Sequence, residues 1–280
     1  MKTGNEEFDR QSDKIESRMS SVKNKILVMS GKGGVGKSTV AVNLACAMAA
    51  TGRKTGLLDI DLHGPNVPRM LGLEKEHLCE ANGEILPCPA SDNLCVCSLA
   101  MLGADPHTPT IWRGPRKTAA IRQMLADVQW GELDYLFLDS PPGTGDEILG
   151  AVQAVSGWTG GVVVATPQEV ALDDAKRSMA FAREVGLPLL GVIENMSGFV
   201  CPHCGKETPI FKKGGGEELA RESGVAYLGG IPLEPGIAAL ADDGKPFCRA
   251  GAGTPAGKAF AAITEKLSAL CGEKAEAAHQ

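Results

Sequence analysis

The chain has 280 residues, 43% of them hydrophobic, and a formal net charge of −6. That length suits one large α/β domain with its own core, and the acid excess argues against broad nucleic-acid binding. No run reaches the roughly 20 apolar residues of a membrane span, the first 24 residues hold no apolar stretch of a secretory signal, and nine cysteines fit free thiols or metal ligands in a reducing cytosol better than a disulfide framework.

Residues 1–24 are mixed in charge and unpatterned, so a disordered or loosely helical extension is expected. KILVMS (25–30) reads as a buried strand, and VAVNLACAMAAT (40–51) follows with helical spacing. Between them lies GKGGVGKST, Gly31 to Thr39, which fits G-x-x-x-x-G-K-S in the setting its chemistry needs, a strand before and a helix after. Gly31, Gly33, Gly34, Val35 and Gly36 would turn backbone N–H groups onto phosphate oxygens. The helix N-terminus at Lys37–Thr39 adds partial positive charge. Lys37 should bridge the β- and γ-phosphates of ATP, and Ser38 should ligate Mg2+. Lys32 is a second lysine that an ordinary phosphate loop does not require.

TGLLDI (55–60) is the next strand, with Asp59 and Asp61 just at its end. They suit a metal site or the orientation of an attacking water, and equally the capping of a following helix. Residues 74–98 carry Gly83, Pro87 and Pro89 and predict a small hairpin insertion. LDYLFLDS (133–140) is a buried strand ending in Asp139, the Walker B arrangement for a magnesium-bound water. In SPPGTGDE (140–147) the prolines stiffen the loop, and the N–H of Gly143 is expected to stand unobstructed toward a γ-phosphate. GGVVVAT (160–166) and PLLGVIENM (188–196) are further strands, and helices are expected near 115–127, 145–156, 168–185, 214–223 and 254–270. Asn195 closes the last strand; its amide suits an adenine edge or a turn. Pro232 in GGIPL either flanks the base or merely ends a strand. The tail, residues 271–280, is polar.

This rhythm predicts an α/β fold, a mostly parallel sheet with helices on both faces. CPHC (201–204) then supplies two thiols, Cys201 and Cys204. A shared iron–sulfur cluster, a bridging zinc, a redox dithiol and two unligated thiols all remain open at that spacing. Cys46, Cys95 and Cys97 read as packing residues, Cys79, Cys88, Cys248 and Cys271 lack a partner at a diagnostic spacing, and His203 reads as a loop residue.

The string KGGVGKS resembles the deviant Walker A motif of the MinD/ParA/nitrogenase-iron-protein class. With DIDLHGPNVPRM (59–70), WRGPRK (112–117), WGELDYLFLDSPPGTGDE (130–147), TPQEVAL (166–172) and NMSGFVCPHCG (195–205), the chain is similar to the Mrp/ApbC family of iron–sulfur cluster carrier ATPases over about residues 22–270. The resemblance implies a P-loop ATPase domain (25–270) that works as a homodimer in the cytoplasm. By it, Lys32 acts catalytically on the partner's nucleotide, Asp61 positions the attacking water, and Asn195 reads the base. It also implies that Cys201 and Cys204 of two subunits hold one 4Fe–4S cluster for transfer to apo-proteins, with no nucleic acid or membrane involved. A positioning ATPase of the MinD/ParA type and a zinc-bridged dimer are the alternative readings. Many bacterial members carry an extra small N-terminal domain, which residues 1–24 are too short to form, and the longer eukaryotic scaffolds carry an N-terminal cluster-binding cysteine set, whereas the first cysteine here is Cys46.

Overall fold

In the computed structural model, which describes residues 6–62, 64–81, 83–101 and 114–277, the chain enters through a regular helix, α1 (Glu6–Ser20). Glu6, Glu7 and Asp9 in its first turn and Arg18 in its last oppose the helix dipole favourably. Ile15 and Met19 are four residues apart, share a face, and are fully buried. Lys14 pairs with Asp127 at 2.8 Å, and Arg122 lies over the Phe8 ring at 4.1 Å. The stretch expected as a disordered or loosely helical extension is therefore docked over Glu6–Ser20. Its two anchors are too few to stand out in a polar run. The first strand, β1 (Val22–Met29), accordingly starts three residues before the expected Lys25.

The phosphate loop follows, then α2 (Lys37–Ala50), β2 (Thr55–Asp59) and the short α3 (Val67–Met70). Within the expected hairpin insertion, β3 (Cys79–Ala81) and β4 (Glu84–Leu86) do form an antiparallel pair. β5 (Cys88–Ser91) and β6 (Leu94–Ser98) instead join the main sheet, β6 running parallel to β2. After α4 (Gly114–Asp127) come β7 (Leu133–Asp139), α5 (Asp146–Ala154), β8 (Gly160–Ala165), α6 (Glu169–Glu184), β9 (Leu189–Val200) and β10 (Glu207–Thr208). The chain closes with α7 (Gly215–Ser223), β11 (Ala226–Leu233), α8 (Pro235–Asp242), α9 (Phe247–Ala250) and α10 (Pro255–Ala277). The last helix outruns the expected limit of 270, and Cys271 packs in the core.

Among the described residues the main sheet has nine strands in the order β10-β9-β8-β1-β7-β2-β6-β5, with β11 also on β9. All pairings are parallel except those of β10 and β5, so the expected mostly parallel α/β fold is observed. Alternation along each strand divides the core. Ile26, Val28, Tyr135, Phe137, Val162 and Val164 face Leu44 and Met48 of α2, Phe247 of α9 and Phe260 of α10. Leu27, Met29, Leu136, Leu138 and Val163 face Ile15 of α1, Met124 of α4, Ile148 of α5 and Met179 of α6. With both faces covered, the strands must be apolar throughout, which is why they read as short continuous runs. Their common carboxyl edge carries the phosphate loop, Asp59, Asp139 and the end of β9.

Candidate nucleotide site and cysteine hairpin

The phosphate loop is fixed from two sides. A Cβ at Gly31 would collide with the backbone of Asp174 in α6, so only glycine lets the helix approach. Gly36 adopts φ 81° as it caps α2, and a Cβ there would strike the Asn195 amide. Asn195 is buried and donates from Nδ2 to the Val35 carbonyl at 2.8 Å. Its amide thus braces the loop. The resulting cleft, of about 220 Å3, is lined by Lys32 to Thr39 together with Asp61, Asn66, Met70 and Pro142.

Beneath it, the buried Lys37 ammonium donates to Asp139 Oδ1 at 2.6 Å and to Ser38 Oγ at 3.3 Å. Asp139 pairs with Asp59 across β7 and β2, and both are fully buried. Burial pushes the Asp139 carboxyl up, opposed by the Lys37 charge and the Ser38 hydroxyl. Asp59 rises well above the carboxylate range through burial and then through the charge of Asp139. Its oxygens accept the Asp61 N–H at 3.0 Å and the Ser98 hydroxyl at 3.2 Å. Asp139 Oδ2 is buried with no hydrogen-bond partner among the described residues. The unpartnered carboxylate oxygen of Asp139 and the Ser38 hydroxyl are hard oxygen donors of the kind Mg2+ takes alongside waters and substrate phosphates, so the residues present fit that ion.

Asp61 lies beyond the end of β2, half-exposed in the cleft, and accepts the Gly64 N–H at 3.3 Å. The two acids read together from the sequence are thus separated: Asp59 is sealed in the sheet and Asp61 faces the cleft. Lys32 is half-buried at the rim, with no ion-pair partner among the described residues. The Gly143 expectation needs correction. Its N–H donates to the Ser30 carbonyl at 2.9 Å, so it is engaged by the strand end, and Pro142 faces the cleft in its place. Pro232 lies apart from the phosphate loop. It lines a groove of about 370 Å3 with Val200, Pro202, Leu233 and Pro235. Asn66 and Met70 were not singled out by sequence; their only signal is position in the stretch after Asp61. His63, Trp112 and Arg113 lie outside the described residues.

The cysteines crown a hairpin. β9 continues past the expected Met196 to Val200, bending at Met196 (φ 57°) and Gly198 (φ 73°). β10 pairs back on it, Val200 with Glu207 and Phe199 with Thr208. The Cys201 N–H donates to the Lys206 carbonyl at 3.0 Å, and the Gly205 N–H to the Cys201 carbonyl at 2.9 Å. Within this turn the N–H groups of Cys204 and His203 and the Cys204 thiol point at the Cys201 sulfur and hold its thiol below the usual range. Cys201 is half-exposed, and Cys204 and His203 are exposed. Among the described residues no group of three or more His, Cys, Asp or Glu side chains is placed to hold a metal, so one chain offers two thiol ligands here. Cys46 and Cys97 are buried as expected, and burial pushes Cys95 up to about 11.

Sequence reasoning also missed Glu194. Fully buried in β9, it accepts the Ser197 hydroxyl at 2.5 Å and the Gly214 and Gly216 N–H groups at 2.9 and 2.6 Å. It thereby caps α7 and fixes the strand that leads to the cysteines. An acid inside an apolar strand was the available signal.

A glycine-rich loop between β1 and α2, with a buried lysine–aspartate pair below it, defines a P-loop nucleotide-binding protein. The family described as ParA, NUBPL iron-transfer P-loop NTPase, matches residues 21–268, and the chain belongs to it. An iron-sulfur cluster carrier protein of Methanocaldococcus jannaschii is 50% identical over 85% of this chain and 82% of its own. Human cytosolic Fe-S cluster assembly factor NUBP2 is 43% identical over 89% and 93%. The nucleotide-binding protein of Archaeoglobus fulgidus, solved in complex with ADP, superposes with a TM-score of 0.74 at 36% identity, covering 84% of this chain and 91% of its own. No helix among the described residues is long and apolar enough to cross a membrane.

Proposed function

We propose that this protein is a cytosolic iron–sulfur cluster carrier. It binds and hydrolyses ATP, assembles as a homodimer around one 4Fe–4S cluster, and delivers that cluster to apo-proteins. The observation that carries the reading is the hairpin: two accessible thiols, on the same sheet edge as the phosphate cleft, and no group of three or more metal-binding side chains among the described residues. A twofold axis doubles two thiolates to four, the set a 4Fe–4S cluster takes. The iron-named relatives over nearly the whole chain favour this cargo over a positioning switch.

In the nucleotide cycle, backbone N–H groups of Gly33 to Thr39 take the phosphates at the α2 N-terminus. Lys37 exchanges Asp139 for the β- and γ-phosphates, and the Asp139 carboxylate it releases would hold the metal ion through a water. Ser38 would hold Mg2+, which would supply charge neutralisation at the phosphoryl oxygens. Asp61 orients the attacking water. Lys32, with no ion-pair partner among the described residues, supplies the second cation to the partner's nucleotide, a role worth about 10³–10⁵ in rate for the analogous arginine finger. Hydrolysis thus requires the closed dimer, the same dimer that completes the cluster site.

The test is anaerobic reconstitution followed by iron and sulfide analysis. Wild type should hold about four of each per dimer, and Cys201→Ala with Cys204→Ala should hold none while keeping its ADP affinity. A cluster retained by that double variant, or zinc alone in protein isolated anaerobically, overturns the assignment.

A further inference from the structure

Cys46 and Cys248 meet away from both the phosphate cleft and the cysteine hairpin. Cys46 lies on α2, fully buried. Asn43, three residues earlier on the same helix face, accepts the Cys248 backbone N–H at 2.8 Å. This bond seats the start of α9 on α2 one turn from Cys46, and Cys248 packs against the core cluster that holds Cys46. Cys248 is half-buried and opens on a groove of about 510 Å3 between α2 and α10, walled by Met48, Arg53, Phe260 and Thr264. Cys248 is thus the more exposed of the two, while Cys46 is fully buried beside a second cavity of about 430 Å3.

The pair is electronically unequal. The Cys46 S–H and, beyond it, the neighbouring Arg249 guanidinium hold the Cys248 thiol below its usual range against the opposing effect of burial. The same contact and burial push Cys46 far up. Cys248, the more exposed of the two, is therefore placed to react first, with the buried Cys46 behind it.

We propose that Cys248 is a peroxide-reactive thiol and that Cys46 is its resolving partner, closing a reversible disulfide between α9 and the helix that begins in the phosphate loop. The Cys248 thiolate attacks one oxygen of hydrogen peroxide, the O–O bond breaks, and the departing hydroxide leaves as water after taking a proton. Cys248 is then a sulfenic acid. The Cys46 sulfur attacks that sulfur, the S–O bond breaks, and the Cys46 proton departs with the hydroxyl as a second water. Two thiols are oxidised to one disulfide and one peroxide is reduced to two waters. The product pins α9 to α2, whose first residues Lys37, Ser38 and Thr39 line the cleft.

The experiment uses reduced, cluster-free full-length protein, hydrogen peroxide at low molar excess, an iodoacetamide quench and non-reducing peptide mapping. The expected product is a Cys46–Cys248 linked peptide, two hydrogens lighter than its parts and lost on dithiothreitol treatment. In Cys46→Ser the same dose with dimedone should label Cys248 instead. The proposal fails if Cys248 stays fully alkylated by iodoacetamide while Cys201 and Cys204 oxidise, or if it forms disulfides with other cysteines only. The wild-type map decides the matter even if the variant does not fold.

Discussion

Asp59 and Asp139 end adjacent strands and are both fully buried, yet only Asp139 has a cation beside it. Asp59 is consequently pushed well above the carboxylate range, and the folded state keeps a proton there that the unfolded chain gives up. That contribution to stability is complete below the ordinary carboxylate value of about 4 and is lost as pH rises through the raised one. Asp59→Asn removes the titration and leaves a group that Ser98 can still bond. The variant should gain in melting temperature relative to nucleotide-free wild type as pH goes from about 4 to 7. Melting curves that run parallel across that range would contradict the assignment. At this scale motif spacing singled out Lys32 to Thr39 and Asp61, which the structure gathers around one cleft. The sequence could not yield their partners. The Gly143 N–H spent on Ser30, the Asn195 amide braced on Val35 and the Cys46–Cys248 contact all depend on how distant elements pack.

Among the elements, α1 is held by a small set of contacts. Lys25, buried with its ammonium on the Met19 and Val22 carbonyls at 3.2 and 3.0 Å, ties the helix end to β1. Burial lowers its value. Ile15 and Met19 supply the apolar anchor. Ile15→Ala should cost about 2–5 kcal/mol in denaturant unfolding and speed amide exchange over Glu6–Ser20. A loss within about 0.5 kcal/mol, the range of an ordinary surface change, would mean the helix is not docked. Strongly apolar strands and long helices were legible from residue 25 onward because each buries a continuous pattern. β6 was read as part of an insertion because LCVCS is short and flanked by turn residues. Its place beside β2 is a choice the whole sheet makes, not the segment.

For the molecule as a whole, parallel strands bring every loop that matters to one edge. The phosphate loop after β1, the acids after β2 and β7, and the bent end of β9 with its cysteine hairpin all emerge there. The phosphate cleft and the paired thiols therefore share one surface, where the proposed contact between two chains would serve both. Two thiols per chain, with no third metal-binding group near them among the described residues, would on the proposed reading form a complete site only by pairing. The decisive measurement is the sedimentation mass of the cluster-loaded protein under anaerobic conditions. The account predicts twice the 29.2 kDa chain mass, falling toward the single-chain value for Cys201→Ala with Cys204→Ala in the absence of nucleotide. A loaded protein that sediments strictly as one chain would contradict it.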